Sequence, residues 1–131
     1  MDPRTTQVIQ LMALRLPTAL SVAALAAAVN LSASRLSHVF RAEMGCSLME
    51  YLRRLRLARA RELAEGTLLS VKEIASAVGL QDVSHFVRDF KKAHGMTPAR
   101  YRRQHLARVL LDPSAAARLA NDQQDAPNNS S

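Results

Sequence analysis

SVAALAAAVNLSASRLSHVFRAEMGCSLMEY, residues Ser21–Tyr51, returns in altered form as SVKEIASAVGLQDVSHFVRDFKKAHGMTPARY, residues Ser70–Tyr101. At an offset of 49, Ser21, Val22, Ala26, Ala28, Val29 and Leu31 recur as Ser70, Val71, Ala75, Ala77, Val78 and Leu80. One extra residue in the turn makes the offset 50, and Phe40, Gly45 and Tyr51 then recur as Phe90, Gly95 and Tyr101. In each copy a Ser opens an apolar stripe of helical period: Val22, Leu25, Ala26 and Val29, then Val71, Ile74, Ala75 and Val78. Asn30 or Gly79, residues that tolerate left-handed backbone, close the stripe.

A second capped helix follows each stripe, from Ser32 to Gly45 with Leu36, Val39 and Phe40 inward, and from Asp82 to Gly95 with Phe86 and Phe90 inward. Two helices joined by a short turn, with Ala26 or Ala75 at the crossing, make a helix-turn-helix unit. Ser70 with Glu73 adds a capping box in the second copy.

Between the copies runs SLMEYLRRLRLARARELAE, Ser47–Glu65, free of Gly and Pro, with Gly66 expected just beyond its end. It reads as one continuous rod. A leading helix is expected over Thr6–Arg15, carried by Val8, Leu11 and Met12 and stopped by Pro17. Thr97 with Pro98 starts a closing helix through about Leu110. The expected fold is all-α: seven helices, with two helix-turn-helix subdomains joined by a long central helix. The expected division is 1–46 for the leading helix and first unit, 47–66 for the linker helix, and 67–111 for the second unit and closing helix. Residues 112–131, DPSAAARLANDQQDAPNNSS, are polar and uneven and are expected to be mostly disordered.

Charge supplies the partner. The 131 residues carry a net charge of +7, and residues 112–131 contribute −2, so the part expected to fold carries +9. Fifteen of the 18 basic residues are Arg, whose planar forks suit phosphates and guanine edges. A polyanion such as nucleic acid fits that balance.

In a helix-turn-helix unit the second helix enters the major groove while the first crosses the backbone. At about 100° per residue, Ser34, His38 and Arg41 lie opposite Leu36 and Phe40. Ser84, Arg88, Lys91 and Lys92 lie opposite Phe86 and Phe90. A rod of about 18 residues is roughly 27 Å long, near the ~34 Å that separates successive turns of one DNA face. One chain can thus place two reading helices as a symmetric dimer would, on an asymmetric pair of half-sites spanning about 20 bp.

The stretch IASAVGLQDVSHFVRDFKKAHGMTPARYR, Ile74–Arg102, resembles the C-terminal signature of the AraC/XylS-type transcription regulators almost position by position, and the likeness covers about residues 5–106. The resemblance implies a regulator of transcription, with base-reading residues at Ser34, Ser37 and His38 in the first unit and Val83, Ser84 and Arg88 in the second. Arg88 matches the family pattern best. The flanking cations Arg35, Arg41, Lys91, Lys92, Arg102 and Arg103 are expected to touch phosphates, which give affinity without sequence information. The resemblance also implies activation through RNA polymerase. Most members carry a separate ligand-sensing or dimerisation domain, which these residues do not include; the chain is expected to bind double-stranded DNA as a monomer.

Other residues read as structural. Arg53, Arg54, Arg59 and Arg61 mark the polar side of the rod, while Arg56 resembles a structural position of the family, which implies an internal ion-pair partner. Phe40, Phe86, Phe90, Tyr51 and Tyr101 occupy core spacing. Cys46 has no neighbouring His and reads as a small packed residue. His85, His94 and His105 lack a metal-ligand pattern, and no phosphate-cradling loop or catalytic constellation occurs, so no enzyme activity, metal or cofactor is expected. No apolar run suits a signal peptide or a membrane span, so the expectation is a cytoplasmic protein with no membrane partner. A basic helical adaptor for an acidic protein is the rival reading; it predicts association indifferent to DNA sequence.

Overall fold

The computed structural model describes residues 1–111; the tail read from the sequence as disordered, 112–131, lies outside the described residues. Among the described residues seven helices follow one another: α1 (Pro3–Leu14), α2 (Val22–Ala28), α3 (Ala33–Met44), α4 (Leu48–Gly66), α5 (Val71–Ala77), α6 (Val83–His94) and α7 (Pro98–Leu111). The start signals act as expected. Ser21, Ser32 and Ser47 side chains accept from Ala24, Arg35 and Glu50 amides at 3.1, 3.1 and 3.2 Å. Ser70 and Glu73 form the reciprocal capping box, at 3.1 and 3.0 Å. Gly45 and Gly95 close α3 and α6 with φ of 76° and 84°, and the two turns place Asn30 and Gly79 at φ of 59° and 81°.

Two boundaries differ from the sequence reading. Helix α1 begins at Pro3, not Thr6, because Asp2 caps it by accepting from the Arg4 amide at 2.9 Å and Pro3 takes the first helical position, where no amide is needed. The Asp2 amide in turn donates to Glu43 Oε1 at 2.8 Å, fastening the N-terminus to the end of α3. At the other boundary Gly66 is the last residue of α4, and extended Thr67 forms the cap. The Thr67 amide and hydroxyl both donate to the Leu63 carbonyl, so the end is secured without a left-handed glycine.

Each unit has its own core. Val8, Met12, Leu25, Ala26, Val29, Leu36, Phe40, Leu48 and Leu52 form the first, and Leu57, Ala60, Ala64, Ile74, Ala75, Val78, Phe86 and Phe90 the second. The duplication extends to ring geometry: Phe40 meets Tyr51 edge-on at 5.5 Å, and Phe90 meets Tyr101 edge-on at 5.8 Å. Helix α4 serves both cores, contributing Leu48 and Leu52 to the first and Leu57, Ala60 and Ala64 to the second. The fold is thus two helix-turn-helix subdomains on one central helix.

Candidate nucleic-acid interface

Burial splits α3 and α6 lengthwise. In α3, Leu36 and Phe40 are buried and Val39 is half-buried, while Ser34, Arg35, Ser37, His38 and Arg41 are exposed. In α6, Phe86 and Phe90 are buried and Ser84, His85, Arg88, Lys91 and Lys92 are exposed. The inward rings fix which face turns outward. Small residues near the start of each helix, Ser34 and Ser84, leave room for close approach, with long cations one to two turns further on.

The outward cations are uncommitted. Among the described residues, no carboxylate lies within ion-pair distance of Arg35, Arg41, Arg88, Lys91, Lys92 or Arg103. Three arginines of α4 behave differently. Arg54, Arg59 and Arg61 pair along the helix with Glu50, Glu62 and Glu65 at 3.1, 2.8 and 4.0 Å, as a solvated polar face would. Cations left unpaired on α3 and α6 are available to a polyanion without first breaking an internal bridge.

Asp82 stands at the start of α6, where its side chain accepts from the His85 amide at 3.1 Å. That hydrogen bond, with the nearby charge of His85, the Ser84 amide and the charge of Arg88 adding to it, holds the Asp82 carboxyl below its ordinary value. The cap is therefore anionic at neutral pH and sits beside the first turn of α6.

Two expected site residues have mixed surroundings. Val83 is half-buried and packs against the second core, so only part of its side chain faces outward. Arg102 is half-buried in a crevice lined by Ala64, Glu65, Thr67, Leu68, His105 and Leu106, and its charge helps keep Glu73 ionised, though the Ser70 hydrogen bonds do most of that work.

Three side chains carry structural duties that spacing alone did not disclose. Arg56, expected in an ion pair, instead donates Nε to the Leu16 carbonyl at 3.1 Å and Nη2 to the Thr18 carbonyl at 2.9 Å. Partial burial without a carboxylate lowers its pKa. The α1–α2 loop, which contains Pro17, leaves carbonyls that no helix satisfies, and a guanidinium fork suits two of them at once. His94 ends α6 with Nε2 against the Leu57 carbonyl at 3.1 Å and its ring edge-on to Phe90 at 4.5 Å. Tyr101 donates its hydroxyl to Glu65 Oε1, joining α7 to α4, and stacks on His105 at 5.9 Å.

Among the described residues no three His, Cys, Asp or Glu side chains gather as a metal site would require, and Cys46 is buried. No helix among them is long and apolar enough to cross a membrane.

The same architecture occurs in known proteins. A family model described as a helix-turn-helix domain matches residues 25–104. The HTH-type transcriptional regulator YijO of Escherichia coli is 36% identical over 100 residues, which is 76% of this chain and 35% of that protein. The chain spans about a quarter to a third of the length of the most similar of these curated relatives. An AraC-type DNA-binding domain protein from Chromobacterium violaceum superposes with a TM-score of 0.75 at 30% identity, over 79% of this chain and 93% of that one. The DNA-binding domain of AdpA, solved with a target DNA, gives a TM-score of 0.75 at 27% identity, over 80% of this chain and 95% of that one. With a helix-turn-helix model spanning both units and an AraC-type domain matched over nearly its whole length, the chain belongs to the AraC/XylS-type helix-turn-helix DNA-binding regulators.

Proposed function

We propose that residues 1–46 and 67–111 act as two reading units on the 47–66 spacer, binding one duplex as a monomer with α3 and α6 in successive major grooves. The observation that carries this reading is the pair of half-buried helices with unpaired outward cations, mounted on one continuous 19-residue helix. That helix is about 28 Å long, against the ~34 Å between successive grooves, and a bend of the duplex toward the protein closes the difference. In this reading Arg88, with Ser84 and the exposed part of Val83, reads bases in one groove, and His38 with Ser34 and Ser37 reads the other. Arg35, Arg41, Lys91, Lys92 and Arg103 hold phosphates, and the exposed part of Arg102 adds to them. Contact with RNA polymerase and a cytoplasmic location belong to the same reading, supported by the resemblance to activators of this family.

Selection of bound duplexes from a random library tests it. Two different motifs about 10 bp apart are expected. Arg88→Ala should then cost about 1–3 kcal/mol on the selected duplex and less on random DNA. Equal losses on both would remove Arg88 from the reading set, and binding indifferent to sequence would favour the adaptor.

A further inference from the structure

The two units differ most visibly at their turns, where the first has Asn30 and the second Gly79, both in the left-handed region. Asn30 is exposed, and its side chain costs nothing in contacts. Gly79 has no such freedom: a Cβ there would lie 2.5 Å from the Leu16 carbonyl oxygen and 3.1 Å from both the Cα and the oxygen of Pro17. The loop between α1 and α2 therefore lies directly on the turn of the second unit. Leu16 itself packs its side chain against the first core. Its carbonyl accepts from Arg56 Nε, and Arg56 also holds the Thr18 carbonyl, so the central helix grips the loop at two points.

We infer that the Leu16–Thr18 loop, clamped by Arg56 and seated on Gly79, is a brace that fixes the angle between the two reading units and so sets the half-site spacing the chain accepts. The inference rests on the DNA-reading function proposed above. A single helix joining two bodies leaves them free to bend and twist about it; a second point of contact between the bodies removes that freedom. Arg56 and Gly79 are thus positioning residues, neither of them on the outward face of α3 or α6.

Two measurements test it, the first without DNA. Spin labels on Ala42→Cys and Ala93→Cys, one on each reading helix, in a Cys46→Ala background, report the distance distribution between units. Arg56→Gln and Gly79→Asn are expected to broaden it, with Arg56→Lys restoring part of the wild-type width through a single donated bond. The second measurement uses the duplex selected from the random library and versions with one or two base pairs inserted between half-sites. Each insertion turns one half-site by about 35° and shifts it by about 3.4 Å. Wild type should lose about tenfold or more in affinity per inserted pair, on the scale of losing one base contact, whereas Arg56→Gln and Gly79→Asn should lose less than about threefold while binding the parent duplex more weakly.

A lower fraction of folded protein weakens every duplex alike and leaves the ratio between spacings untouched, so an unchanged ratio in folded Arg56→Gln overturns the brace. So does an unbroadened distance distribution, or a wild-type profile already indifferent to spacing. If wild type selects no sequence at all, the DNA-reading function falls instead, and the label distances still decide whether the brace exists.

Discussion

Replacing Gly79 by Ala puts a methyl group onto the backbone of a neighbouring loop, and two other glycines in the same conformation supply the control. Gly45, Gly79 and Gly95 have φ of 76°, 81° and 84°, so an Ala at any of them bears the same left-handed strain of about 1–2 kcal/mol. The loss of unfolded-state freedom that accompanies Gly→Ala is also common to all three. Only the surroundings differ. A Cβ at Gly45 or Gly95 meets nothing within 4 Å, whereas at Gly79 it lies 2.5 Å from the Leu16 carbonyl oxygen. Relief to ordinary contact requires the loop to retreat by most of an ångström against the hydrogen bonds of Arg56, an overpacking cost of about 1–3 kcal/mol. Gly79→Ala should therefore destabilise by about 2–5 kcal/mol and Gly45→Ala or Gly95→Ala by about 1–2. Thermal melts followed by circular dichroism should place Gly79→Ala about 4 °C or more below Gly95→Ala. Equal midpoints for the three variants would refute the argument, because the strain they share would then account for everything.

Lys92→Ala should weaken binding to selected and random duplexes alike and reduce the slope of log affinity against log salt by about one, read from titrations at several salt concentrations. Thr5 is buried in α1 with its hydroxyl unpaired, so the isosteric Thr5→Val should stabilise by about 1 kcal/mol in urea unfolding; a loss of stability would mean the hydroxyl is satisfied. Burial, and then the hydrogen bond to Glu65, push the Tyr101 phenol up to about 12. The folded chain thus holds that proton more tightly than the unfolded one, whose tyrosines ionise near pH 10; the resulting stability is fully present below about pH 10 and is lost as pH rises toward about 12. Tyr101→Phe should flatten the fall in urea midpoint across that window, and parallel curves for the two proteins would count against it.

The duplication carried most of the fold. Ser21, Ser32, Ser47 and Ser70 mark helix starts because a short side-chain oxygen reaches an amide that no carbonyl can. Gly45 and Gly95 mark ends because they accept positive φ. The outward faces of α3 and α6 were equally legible, since Phe40, Phe86 and Phe90 leave a helix only one way to turn. Local signals failed where the deciding contact is distant in sequence. The start of α1 is the exception, a local signal passed over because Asp2 and Pro3 precede any apolar period. Arg56 was set apart by resemblance as an ion-pair partner, but its actual partners are carbonyls 40 and 38 residues away in a loop with no pattern of its own. Gly79 was readable as a turn former, but the Leu16 carbonyl that crowds any side chain there was not.

The division of the interior, with Leu52 ending one apolar cluster and Leu57 beginning the other, has an evolutionary corollary. A substitution that alters the base preference of one half need not be compensated in the packing of its sibling, so the descendants of an ancestral doubling are free to diverge in what they recognise. Hybrids spliced between Leu55 and Leu57 would inherit intact interiors from both parents, and Arg56 at the junction would decide whether the transplanted half still points the right way.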